Sequence, residues 1–161
     1  MATLPPKTDD WRRGLSRQTP RGRLALWVAE PGFLIFQLIG HGDKSFVEPI
    51  VMGFQRSLDH LRPVQMFVDA ELMTSYDSEL RTEVTAALLD QRSSIESLHI
   101  VVRTKIVAMG VSVANLALGG LMTIYNEPGR FLEALRAHTA RSNVTSFSAR
   151  SFARERLARA R

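Results

Sequence analysis

The residues best equipped for chemistry are four histidines, His41, His60, His99 and His138, a Gly110-Val-Ser112-Val-Ala114 stretch, a Gly119-Gly120 pair, and the acids Asp69, Glu71, Asp77 and Glu79. Metal ligation needs side chains that converge, and the histidines offer neither an i, i+4 pair nor a His/Asp cluster of ligand spacing. No metal and no cofactor is expected. Ser112 has the outline of a nucleophile elbow, but that elbow must follow a strand directly, whereas Ser112 falls in the middle of a helical pattern. Gly119-Gly120 lies between a helix and a strand, the reverse of the order that aims helix N–H groups at a phosphate, so it reads as a helix stop. Arg103 and Lys105 bracket a helix start and read as a solvated pair. The four acids surround the second strand-to-helix junction, where open α/β sheets bind ligands, although such acids also serve as caps and solvated loops. Zero cysteines removes a thiolate site, a thiol nucleophile and a disulfide frame together. No catalytic residue is assigned, and the chain is expected not to be an enzyme.

The elements that must position these groups follow from periodicity. A chain of 161 residues, 45% apolar and 23% charged, makes one globular domain. Leu24–Ala29 and Phe33–Ile39 are strand-like runs separated by Glu30-Pro31-Gly32, a hairpin turn. Apolar residues then recur every three to four positions over about 45–61, about 78–91, about 105–118 and after Asn126, with strands 64–68, 98–102 and 121–125 between them. Ser45 with Glu48 has capping-box spacing; Asp77, Thr104 and Asn126 stand where caps belong. The order β-β-α-β-α-β-α-β-α implies an α/β fold with a five-stranded mixed sheet opening on a hairpin and four helices packed on it.

Charge divides the chain in three. Residues 1–23 carry six Lys/Arg and two acids, residues 24–138 nine and thirteen, and residues 139–161 six and one, so the net charge of +5 resides in the ends. The expected organisation is a basic flexible arm over 1–22, an α/β domain over 23–139 and an Arg/Ser-rich basic tail over 140–161. Ile106–Tyr125 is twenty residues without a charge, enough on paper to span a bilayer, but Ser112, Asn115 and Gly119-Gly120 interrupt it. It reads as a buried helix followed by a buried strand, with no integral membrane insertion. The N-terminus lacks the pattern of a secretory signal, which with the absence of cysteine points to the cytoplasm.

On this element order, two local strings resemble the STAS domain of anti-sigma-factor antagonists. Gly40-His41-Gly42-Asp43 stands where that family reads Gly-x-Leu-Asp after its second strand. Val68-Asp69, a seven-residue stretch and Asp77-Ser78-Glu79-Leu80 stand where the family has a strand ending in Asp, a loop of that length and Asp-Ser-Ser/Thr-Gly opening helix two. Glu79-Leu80 and Gly42 depart from the pattern. The resemblance implies a phosphorylation-controlled binding module, with Ser78 as phosphoacceptor and Asp43, Asp77 and Glu79 on the partner-binding face. It also implies a regulatory protein partner, an anti-sigma factor or a serine-kinase-like protein.

Two other functions stay open. Some STAS-like domains hold small ligands or lipids, which makes a ligand- or lipid-sensing module the first alternative. The second assigns nucleic-acid or anionic membrane-surface binding to the basic ends, a salt-sensitive interaction. The sequence leaves the oligomeric state open.

Overall fold

The computed structural model describes residues 15–30, 32–58 and 63–141. Seven strands and four α-helices run along them: β1 Leu15–Gln18, β2 Gly22–Glu30, β3 Phe33–Gly42, α1 Val47–Ser57, β4 Val64–Ala70, β5 Met73–Tyr76, α2 Ser78–Asp90, β6 Ile95–Val102, α3 Lys105–Ala117, β7 Met122–Tyr125 and α4 Pro128–Arg141. The strands form one mixed sheet in the order β1-β2-β3-β4-β6-β7. β1, β2 and β3 are antiparallel; β4, β6 and β7 continue in parallel, each reached through a helix, as parallel neighbours require. β5 joins the same edge of β3 as β4 but further along: β4 pairs with Phe33–Gln37 and β5 with Gly40–Gly42.

The sheet therefore has seven strands, where the sequence predicts five. Both extra strands are short. β1 carries Ser16, Arg17 and Gln18, with no apolar alternation to announce it, and exists by pairing with β2 in the register Ser16↔Ala25. Residues 15–22 accordingly belong to the folded body rather than to an arm. β5 is four residues inside what reads as one loop, with Met73 buried and Thr74 exposed. The predicted tail over 140–161 begins too early, since the last helix runs to Arg141; its remainder from 142 and the remainder of the predicted arm, 1–14, lie outside the described residues.

Both faces of the sheet are covered, which is why β3, β4 and β6 read as nearly continuous apolar runs. One face carries Leu24, Leu26, Phe36, Met66 and Ile100 under Phe46, Ile50, Phe54, Leu80, Leu88 and Val107 of the α1–α3 side. The other packs Ala25, Trp27, Phe33, Ile35, Phe67 and Val101 against Phe131 and Leu135 of α4. Phe131 is fully buried with its ring edge-on to Phe67, so its truncation to Ala costs about 3–5 kcal/mol.

Two sequence expectations about the uncharged stretch need correction. α3 buries Val107, Gly110 and Ala114, but Ile106, Met109, Val113 and Leu116 face water. β7 is a half-exposed edge strand, its start held by Asn115, whose Oδ1 accepts from the Met122 N–H at 2.7 Å. No helix among the described residues is long and apolar enough to cross a membrane. Gly119 and Gly120 do end α3, with φ of 68° and 79° that L side chains avoid.

Candidate functional site

The site is built where β3 and β5 end side by side. Their pairing, Gly42↔Tyr76, brings the two strand-to-helix junctions together, and the Asp77 N–H donates to the Gly42 carbonyl at 2.9 Å. Asp77 holds the N-cap position of α2 but its carboxylate makes no bond to that helix. It reaches across instead: Oδ2 accepts from the Lys44 N–H at 2.8 Å, and Oδ1 lies 2.9 Å from His41 Nε2. One carboxylate thus ties the junction before α1 to the junction before α2. The Lys44 N–H, and after it His41, hold the Asp77 carboxyl below the usual carboxylate range. Asp43 caps the 3-10 turn Lys44–Phe46 by accepting from the Ser45 N–H at 2.8 Å, and its pKa is lowered by that same residue.

His41 organises this rim, a role that the spacing of the four histidines does not announce. It is 7% exposed. Because Asp77 only accepts, Nε2 carries the proton, which leaves Nδ1 as an acceptor 2.8 Å from Ser75 Oγ and 3.3 Å from an Arg21 guanidinium nitrogen. Ser75, His41 and Asp77 therefore stand in the order of a nucleophile, a base and its orienting acid. The Arg21 guanidinium, which can only donate, shares that same Nδ1 lone pair, however, so Nδ1 is not reserved for Ser75. The geometry is that of a clamp. Arg21 is brought in by close backbone contact: the His41 N–H donates to the Arg21 carbonyl at 2.9 Å, and a Cβ on Gly22 would run into the His41 carbonyl. The signal available in the sequence was a strand end flanked by two glycines, Gly40 and Gly42, where backbones approach closely.

Ser78 and Glu79 are exposed at the start of α2, and the Ser78 hydroxyl donates to Glu79 Oε2 at 3.2 Å. Asp43 is near enough to Asp77 to feel its charge. The four residues singled out in the sequence therefore border one rim. Asp69 does not join them: it is 4% exposed and accepts from Gln37 Nε2 at 3.4 Å and from the Glu71 N–H at 3.2 Å. Two of the departures from the STAS pattern, Gly42 and Leu80, meet in space: a Cβ on Gly42 would run into Cε of Met73 and lie 2.6 Å from Cδ2 of Leu80, so Met73 and Leu80 together fill the space a side chain at 42 would take.

Two hollows adjoin the rim. A groove of about 1,040 Å³ runs between β1, α1 and α2, bordered by Arg17, Lys44, Ser45, Glu48, Glu83 and Asp90. Beneath α2 and α3 lies an apolar cavity of about 130 Å³, lined among others by Phe36, Met66, Leu98, Val107 and Arg81, whose Nε is buried without a hydrogen-bond partner. Among the described residues no group of three or more His, Asp or Glu is placed to hold a metal ion.

No protein-family model matches the chain, and no curated protein matches it significantly. Among solved structures it is similar to an uncharacterized protein of the DUF3478 family from Shewanella loihica, described as having a SpoIIAA-like fold. The TM-score is 0.51 and the identity 11%, over 75% of this chain and 90% of that one. The chain therefore has a SpoIIAA-like, that is STAS-like, fold.

Proposed function

We propose that the protein is a non-enzymatic regulatory module whose partner docks on the rim formed by loops 40–45 and 69–79 and on the exposed side of α2. The observation that carries this reading is the Asp77 carboxylate, spent on fixing one loop against the other instead of capping its helix. A rigid rim beside an open groove suits recognition of a protein surface. Phosphorylation of Ser78 is the proposed switch. The residue is exposed, sits at the positive end of α2, and would gain up to two negative charges beside Asp77 and Glu79. A partner fitted to the unmodified rim would then meet up to two negative charges more than that rim carries.

The test uses the full chain as bait in cells that express it, with phosphosite mapping of the recovered bait. A regulatory partner should be captured by the wild type and lost with Ser78→Asp, while Ser78→Ala retains it. Equal capture by Ser78→Asp rejects the switch, and equal capture by Asp43→Lys and Glu79→Lys rejects the rim.

The apolar cavity favours a second reading, a module that senses a small apolar ligand. Its volume approaches that of engineered cavities which take up benzene, of about 150 Å³. Arg81 Nε supplies a buried donor for an acceptor on such a ligand. Native mass spectrometry of the purified chain should then find an added mass that Arg81→Met loses; a bare wild-type chain counts against this reading.

A further inference from the structure

The outer face of α3 presents a row of apolar side chains to water. Ile106, Met109, Val113 and Leu116 are 56%, 70%, 51% and 82% exposed. Their spacing of three, four and three residues places them on one seam of the helix, the pattern by which two helices interlock side chains. The inner face of the same helix, Val107, Gly110 and Ala114, is already buried against the body. No charged residue interrupts α3 after Lys105. The seam leaves roughly 500 Å² of apolar side chain in water, near the upper end of the largest patch that a monomer carries.

We infer that this seam is a homodimer interface, in which α3 packs antiparallel on α3 of a second copy. Three observations select that occupant. A two-fold axis crossing the seam at the axial level of residue 111, on the face opposite the inward-packed Val111, pairs Ile106 with Leu116 of the other copy and Met109 with Val113, so the seam is complementary to itself, as a two-fold interface must be. Burying it on both copies removes roughly 1,000 Å², about the floor for a specific interface. The antiparallel arrangement also sets Lys105 beside the carbonyl end of the opposing helix, which carries the negative end of the macrodipole; a parallel pair would bring Lys105 against its own copy. An interfacial membrane helix would carry several cations along its polar flanks, whereas α3 has one, Lys105 at its first turn, followed by the uncharged Ser112 and Asn115. Ile124 of β7, 37% exposed, lies on the same side of the sheet. None of the four seam residues borders the groove or belongs to loops 40–45 and 69–79, so the inference stands apart from the docking reading.

The experiment is sedimentation equilibrium of the full chain over a range of concentrations. A species of twice the 18.0 kDa chain mass is expected. Leu116→Glu should weaken it by at least about a hundred-fold, because each substitution acts twice in a two-fold pair. The circular dichroism of that variant should match the wild type, since the side chain makes little contact with its own fold. Met109→Lys is the second variant should the first fail to fold. The chain has no cysteine, so added ones report orientation: Met109→Cys with Val113→Cys should cross-link between copies, and Val113→Cys alone should not. A monomer at all concentrations overturns the inference, as does a dimer indifferent to both charged variants. A monomer that binds anionic vesicles through Leu116 overturns it in favour of a membrane surface, and cross-linking by Val113→Cys alone overturns the antiparallel arrangement.

Discussion

Gly110→Ala separates two opposed forces in α3. Helix propensity alone favours Ala over Gly by about 1 kcal/mol in a helix interior. Gly110 is buried, however, and a Cβ there would overlap the Tyr76 hydroxyl and lie 2.6 Å from Cζ and 2.9 Å from Cε1 of the same ring. Overpacking of this kind costs about 1–3 kcal/mol. With the middle of that range set against the propensity gain, the variant should be destabilised by about 1 kcal/mol, a fall in midpoint of about 4 °C. Urea and thermal unfolding followed by circular dichroism read both. Tyr76 closes β5 next to Asp77, so the strain bears on the rim as well as on the core. In a Tyr76→Leu background the ring is gone and Gly110→Ala should regain its propensity advantage, a coupling of about 2 kcal/mol between the two positions. A single Gly110→Ala variant that melts higher than the wild type would refute the packing described for this junction.

His41→Phe keeps a ring in the buried position but removes its hydrogen bonds to Ser75 and Asp77; it should cost about 2 kcal/mol and speed amide exchange at Lys44, and unchanged Lys44 exchange would detach Asp77 from His41. His99 is stacked on Phe67 at 4.6 Å and burial lowers its pKa below the ordinary 6.5. The unfolded chain therefore takes up this proton more readily than the folded one, so stability should be level above about pH 6.5 and fall as the pH drops from there toward the folded-state value. His99→Phe should flatten that limb, and an unaltered slope would assign it elsewhere.

How much of this was legible in the sequence depends on whether the signal was local. The hairpin, the four helices and the stop at Gly119 rest on periodicity and on single-residue geometry, and they are found where the pattern puts them, except that α1 ends at Ser57 instead of running on to about 61. β1 and β5 are four residues each and depend on pairing with strands that lie elsewhere in the chain, so no window of sequence contains their cause. The same reasoning divides the site. That Asp43 and Asp77 border one rim follows from neighbouring strand-to-helix junctions, which element order does convey. That Asp77 spends its carboxylate on Lys44 and His41 does not follow, because a helix-capping acid and a clamping acid occupy identical sequence positions. Gly42 and Leu80 make the point most sharply. Taken singly, each weakens the match to the STAS pattern. In space, a methyl of Leu80 lies 2.6 Å from where a Cβ on Gly42 would be, with Met73 Cε against the same point, so the two departures meet in one packed region where β3 and β5 lead into α2. Two positions that fail a motif together, at sites the fold brings into contact, therefore weaken the case for the motif's chemistry less than two independent failures would, since the packing the motif serves is kept. The exposed Ser78, which no packing constraint holds in place, is then the position whose function must be decided by its own chemistry.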